Sequence, residues 1–297
     1  MPHAKVNGVE LYYEAHGHGD WLVMSHEFAG CVKSWEPQIP AFAREFRVLV
    51  YNWRGYPPSS VPADVSSYSQ ELSIGDLRML LDHLRIEQPR LLGFSMGGSL
   101  ALSFALAHPT RVCALVLAGT GTGSADKRDF AREFGAIADR FEREGASRVA
   151  PEYLSGPTRI QLQRKDPARW HKLVTELGEL SSLGLANTLR GVQLRRPTMY
   201  ELESRLPEVR VPTLVIVGEE DTPALDASRF LAAKLPAATL KVLPGTGHTL
   251  NLEEPEAFNR AVLDFLTAVE SGRWGPRNPA SQTGSAILPS QQGKRKE

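Results

Sequence analysis

The sequence predicts an α/β fold: a mostly parallel sheet covered by helices on both faces and interrupted by an all-helical insertion. Short continuous apolar runs, such as residues 90–94 and 211–217, alternate with segments of helical periodicity, the pattern of strands buried on both sides. One run, Leu91-Leu92-Gly93-Phe94, breaks directly into Ser95-Met96-Gly97-Gly98 and a helix-like stretch, which makes a sharp strand-to-helix turn. From about residue 124 to 206 the strand rhythm stops and only helical segments remain.

The elements follow in order. Val6 leads into Asn7-Gly8, a favoured tight-turn pair, and residues 9–14 alternate as a strand, so the chain opens on a hairpin. Residues 21–25 form an apolar run ending at His26; residues 35–45 read as a helix and 47–51 as the next strand. Leu72, Leu77, Leu80, Leu81 and Leu84 recur at helical spacing across 69–85. The strand 90–94, a helix over 99–108 and the strand 111–118 lead to the glycine-rich segment 119–123. The insertion carries helical segments at 128–144, 169–183 and 185–193. A strand over 211–217 then resumes the pattern, followed by a helix (226–235), a strand (239–243) and a helix (255–269). A core of residues 1–123 and 207–270 and a helical cap of residues 124–206 are therefore expected. The Gly-, Pro-, Ser- and Gln-rich stretch 271–297 is expected to be a disordered tail.

Composition narrows the class. In 297 residues, 34 Lys and Arg balance 34 Asp and Glu, which argues against nucleic acid or an anionic membrane as a bulk electrostatic partner. No apolar run approaches the roughly 20 residues that span a bilayer. The polar first ten residues lack a signal-peptide core, so a cytoplasmic protein is expected. Cys31 and Cys113 alone do not make a disulfide framework. No cofactor and no metal are expected; the expected partner is a small-molecule substrate, with a homo-oligomer left open.

The chemistry-bearing residues fall at strand ends. Small neighbours around Ser95 let the chain turn sharply, present the hydroxyl outward and place it over a helix N-terminus that favours negative charge. A serine nucleophile needs a base to take its proton and a carboxylate to hold that base in the right tautomer. One later strand ends in Gly218-Glu219-Glu220-Asp221 and the next in Pro244-Gly245-Thr246-Gly247-His248. In an open parallel sheet, functional groups gather at that edge. Ser95, Asp221 and His248 are the catalytic candidates, although Asp221 could merely cap the following helix while Glu219 or Glu220 supplies the acid. His83 and His108 belong to sheet-covering helices and His3, His16 and His18 to the N-terminal hairpin region, which makes them weaker bases.

Taken together, Gly93-Phe94-Ser95-Met96-Gly97-Gly98, Val215-Ile216-Val217-Gly218-Glu219-Glu220-Asp221, Gly245-Thr246-Gly247-His248 with Glu253-Glu254-Pro255, and Tyr51-Asn52-Trp53-Arg54-Gly55 resemble an α/β-hydrolase fold protein with a helical cap, over roughly residues 5–270. The resemblance implies an oxyanion hole of two backbone N–H groups, from Met96 and, in the segment 26–30, from Phe28. The chain departs from the family pattern in three places: Glu27 stands where glycine is usual, Gly55-Tyr56-Pro57-Pro58-Ser59 replaces a more flexible loop, and Asn52 replaces a common aspartate. Glu27 is expected to point outward with His26 packed below the loop. The alternative has Glu27 facing the pocket, where it must be held away or protonated, because an ionised carboxylate repels an oxyanion.

His26, Glu27, Phe94, Trp170 and Tyr200 are the candidate pocket residues. The cap's other aromatic and polar side chains (Phe130, Phe134, Phe141, Tyr153, His171, Met199) could join them, although most read as the cap's own core. The arginines at 159, 164, 190, 195 and 196 read as a solvated face.

The implied activity is hydrolysis of a small carboxylic ester, lactone or related acyl compound through an acyl-enzyme. The same residues could cleave a carbon–carbon bond in a β-diketone or ring-opened substrate, and a non-catalytic ligand-binding receptor could use the same fold. A serine at the elbow argues against epoxide or haloalkane hydrolysis, whose enzymes place an aspartate there.

Overall fold

The computed structural model describes residues 2–276. The chain opens on β1 (His3–Val6) and β2 (Val9–His16), an antiparallel hairpin whose turn residues Asn7 and Gly8 both take positive φ, 47° and 78°. The remaining strands are β3 (Trp21–Ser25), β4 (Arg47–Tyr51), β5 (Arg90–Phe94), β6 (Ala114–Ala118), β7 (Thr213–Gly218) and β8 (Ala238–Leu243). They form one sheet in the order β1-β2-β4-β3-β5-β6-β7-β8, parallel from β4 onward and antiparallel between β2 and its neighbours.

The helices are α1 (Ile39–Phe42), α2 (Gln70–His83), α3 (Met96–Ala107), α4 (Lys127–Glu144), α5 (Ala146–Leu154), α6 (Ile160–Lys165), α7 (Pro167–Gly178), α8 (Ser182–Thr188), α9 (Thr222–Lys234), α10 (Leu250–Glu253) and α11 (Pro255–Glu270). Alternate strand residues face opposite layers. Val23, Leu49, Leu91, Leu115 and Val215 pack with α2, α3 and α9, while Leu22, Val48, Leu92, Val116 and Ile216 pack with α1 and α11. The sheet is thus covered on both faces, which is why its strands read as unbroken apolar runs. Between β6 and β7 the described residues hold α4–α8 and no strand.

Proline accounts for most departures from the expected elements. Residues 35–45 form no single helix: a 3-10 turn (Val32–Trp35) and the short α1 replace it, because Pro37 and Pro40 supply no N–H to extend a helix. In the inserted segment α5 and α6 were not expected, since Pro151 lies inside one and Gly156-Pro157 interrupts the pattern between them. The helical segment expected at 169–183 is α7, which starts two residues earlier, where Asp166 accepts the Arg169 N–H and Pro167 takes the first position.

The described residues include no helix long and apolar enough to cross a membrane and no cluster of metal-ligating side chains; Cys31 and Cys113 are free thiols. Of the segment 271–297 expected to be a disordered tail, residues 277–297 lie outside the described residues. Before them, the Trp274 ring packs 4.8 Å from Phe265 and its Nε1–H donates to Ala237 O at 2.8 Å.

Candidate active site

The turn after β5 places Ser95 at φ 52°, ψ −108°, and α3 begins at the next residue. A side chain on Gly93 would run into the backbone of Gly97, and one on Gly97 into the carbonyls of Ser25 and His26, so this close approach is open only to glycine. The Ser95 N–H donates to Ala118 O at 2.7 Å, which ties the strained residue to β6. Ser95 is half-buried.

Asp221 and His248 follow β7 and β8, at the same sheet edge. The structure brings the three together: Ser95 Oγ lies 2.9 Å from His248 Nε2, and His248 Nδ1 lies 2.7 Å from Asp221 Oδ2. With Asp221 accepting the Nδ1–H, the Nε2 lone pair is free to receive the serine proton. Asp221 and His248 are 1% and 3% exposed, so little water competes for these bonds. Glu219 and Glu220, the alternative acids, point elsewhere: Glu219 accepts the Gly245 N–H and Glu220 the Gln161 side-chain amide, both at 2.9 Å. Phe94, directly before the serine, sets its ring 5.4 Å from the His248 ring and 6.3 Å from Trp35.

Sequence reading missed the residues that hold the histidine in place. The His248 N–H donates to Thr158 O at 2.6 Å, from the turn between α5 and α6. Glu253 accepts the Gly247 N–H at 2.7 Å and the Thr249 hydroxyl at 2.8 Å. Thr158 acts through its carbonyl, which any residue carries, so no residue type signals it. Glu253 sits five positions after His248, a spacing that signals a side chain folded back over its own loop only once the short α10 is known.

Several expectations need correction. His26 offers nothing to a pocket: it is fully buried, its Nδ1–H donates to Glu27 O at 2.7 Å, and its Nε2 accepts the Trp53 N–H at 3.2 Å. Burial holds it neutral, with a pKa lowered to about 4. Glu27 does not point outward; it is 8% exposed, and its Oε1 accepts the Ser34 hydroxyl at 2.9 Å. Trp170 is interior to the inserted helices, its Nε1–H donating to Leu154 O. Tyr200 packs on Phe230, well along α9 from Asp221, and is 37% exposed. Arg196 is buried rather than solvated, donating to Gln193 Oε1 and Thr122 O.

Phe28 precedes Ala29, which takes φ 65°, and its ring meets Phe141 and Tyr153 at 6.1 and 5.9 Å. Met96 heads α3, where the first backbone N–H groups have no acceptor within the helix. Beside the site, a cavity of about 520 Å³ opens between α4 and α5. Phe130, Phe134 and Tyr153 wall it, and its edge carries Thr158 and the residues after Asp221, Thr222 and Pro223.

Comparison with known proteins identifies the family. The family described as the α/β hydrolase fold matches residues 20–255. The 2-hydroxy-6-oxononadienedioate/2-hydroxy-6-oxononatrienedioate hydrolase 2 of Pseudomonas putida is 30% identical over 267 residues, 87% of this chain and 92% of that one. Two solved structures are similar throughout. An enol-lactonase of Burkholderia xenovorans LB400 matches at TM-score 0.79 and 28% identity, covering 90% of this chain and all of that one. A thermophilic esterase of Thermogutta terrifontis matches at TM-score 0.82 and 28% identity, covering 91% and 99%.

Proposed function

The chain belongs to the α/β-hydrolase fold family and is a hydrolase, and on that premise we propose that it cleaves a small carboxylic ester, lactone or related acyl substrate through an acyl-enzyme on Ser95. The observation that carries the reading is the hydrogen-bonded chain Ser95–His248–Asp221 at one sheet edge.

His248 Nε2 takes the hydroxyl proton as Ser95 Oγ attacks the carbonyl carbon, and Asp221 stabilises the imidazolium that forms. The Met96 and Phe28 N–H groups meet the tetrahedral oxyanion. His248 returns its proton to the leaving oxygen, and the acyl ester of Ser95 remains. A water then gives a proton to His248 and attacks that ester; collapse releases the acid, and the proton returns to Ser95 Oγ. Residues 124–206 act as a cap in this scheme. Thr158 ties them to the histidine, and the cavity beside it, about 520 Å³, sets the rings of Phe130, Phe134 and Tyr153 against charged side chains such as Asp129, Glu133, Arg140 and Arg159, which suits a small acyl substrate with both apolar and polar parts.

Ser95→Ala is expected to abolish hydrolysis of a p-nitrophenyl ester and labelling by a fluorophosphonate; retained turnover sinks the assignment. The named activity of the P. putida relative favours one second reading, carbon–carbon cleavage of a ring-opened dienoate by the same residues. A kcat/KM for such a substrate well above that for simple esters would select it.

A further inference from the structure

Glu27 takes no part in these steps, yet it stands directly before Phe28 at the sheet edge, buried and, among the described residues, in no ion pair. Its Oε1 accepts the Ser34 hydroxyl at 2.9 Å, while Oε2 is buried with no hydrogen-bond partner among the described residues. The carboxyl folds so closely over Gly30 that a side chain there would collide with it. The main chain of Glu27 is pinned as well, its carbonyl accepting the Gly30 N–H at 3.2 Å and the His26 Nδ1–H at 2.7 Å. Ser34 carries the connection onward: its Oγ accepts the Cys31 N–H at 3.1 Å and its carbonyl accepts the Asn251 amide at 2.9 Å. The carboxyl therefore braces residues 27–34 from the inside.

The titratable and charged groups that face it are Arg159 and Tyr153 from the inserted helices, Glu176 from α7, Tyr56 from the loop after β4, and Cys31 and His26 of its own turn. Among the described residues none makes an ion pair with it; the Arg159 guanidinium donates to the Tyr153 and Thr158 hydroxyls.

We propose that Glu27 is a positioning residue of the oxyanion turn that works as the neutral carboxylic acid: it holds residues 27–34 in the shape that offers the Phe28 N–H, and its ionisation sets a negative charge beside the developing oxyanion. The proposal rests on the acyl-transfer reading above. Burial, the dominant cause, raises the Glu27 pKa to about 7, which puts the change of state within a working pH range.

The test is the pH profile of kcat and KM for p-nitrophenyl acetate between about pH 5.5 and 9, on the wild type, Glu27→Gln and Ser34→Ala, with fluorophosphonate labelling and a melting temperature for each. The wild-type kcat is expected to fall roughly tenfold as pH rises through about 7, with KM little changed, a smaller loss than removing a whole oxyanion donor. Glu27→Gln, a permanently neutral isostere, is expected to match the wild type at low pH and to lack the fall. Ser34→Ala removes a donor that favours the ionised form, so its fall moves to higher pH. Coincident wild-type and Gln profiles, with both proteins labelling, overturn the role of Glu27 alone. A wild type that does not label overturns the acyl-transfer reading and this proposal with it. If the Gln variant does not fold, Ser34→Ala decides, and an unmoved fall overturns the proposal.

Discussion

The turn after β5 and the turn after β3 lie at the ends of two paired strands, and different physics holds each. The first, residues 93–98, is shaped by missing side chains: glycines let strand, helix and neighbouring carbonyls approach closely, and Ser95 takes the one strained conformation. The second, residues 26–30, is shaped by buried polar side chains: both ring nitrogens of His26 are hydrogen-bonded, while Glu27 has one carboxyl oxygen bonded to Ser34 and the other left without a partner among the described residues. A turn built on sterics keeps its shape at any pH. A turn built on His26 and Glu27 is stabilised only while both are neutral, and the two titrate in opposite senses.

For His26 the folded pKa, about 4, lies below the ordinary imidazole value. Its contribution to stability is present above about pH 6.5 and is lost as pH falls toward 4. For Glu27 the folded pKa, about 7, lies above the ordinary carboxylate value. Its contribution is present below about pH 4.5 and is lost as pH rises through 7. Between those limits the two slopes offset each other.

The largest expected effect is on the elbow itself: Ser95→Ala should lower kcat by about 10⁴-fold or more while leaving unfolding near wild type. Steady-state kinetics on a p-nitrophenyl ester checks it. Next, Gly97→Ala forces a methyl against the Ser25 and His26 carbonyls; about 3 kcal/mol of stability should be lost. A displacement of the nucleophile by an ångström should cost on the order of a hundredfold in kcat. Wild-type urea unfolding and kinetics for this variant would mean that sterics do not shape the elbow.

The other turn is tested by separating its two titrations. With Glu27→Gln, stability relative to wild type should fall on acidification from pH 6.5 to 4, by about 3 kcal/mol. With His26→Gln it should fall instead as pH rises from 4.5 to 7, by a similar amount. Unfolding free energies across pH read both, and parallel slopes in the two variants would break the contrast. The smallest effect is at Tyr200, exposed and packed on Phe230: Tyr200→Ala should change kcat/KM less than about twofold and stability by about 0.5 kcal/mol.

Legibility followed the same division. The strands of the sheet, the elbow and the order of Ser95, Asp221 and His248 were readable because each depends on local chemistry: apolar period, glycine stereochemistry and position after a strand. The inserted helices were read less well, with α5 and α6 missed, because Pro151 and Gly156-Pro157 break the local pattern while packing against neighbouring helices keeps the helices in place. Trp170 and Tyr200 went astray for a related reason, since an aromatic residue looks alike whether it lines a pocket, a helix interface or the surface.

From the sequence alone came the doubly covered sheet, the sharp turn at Ser95 and the candidacy of His248 as its base, all written in spacings of a few residues. Only the tertiary structure decided which acid meets His248, that Thr158 and Glu253 hold its loop, and that Glu27 turns inward to Ser34 and Gly30. The reason is physical: a charged or polar side chain settles where distant elements leave it a partner and exclude water, and neither condition is a property of its own stretch of chain.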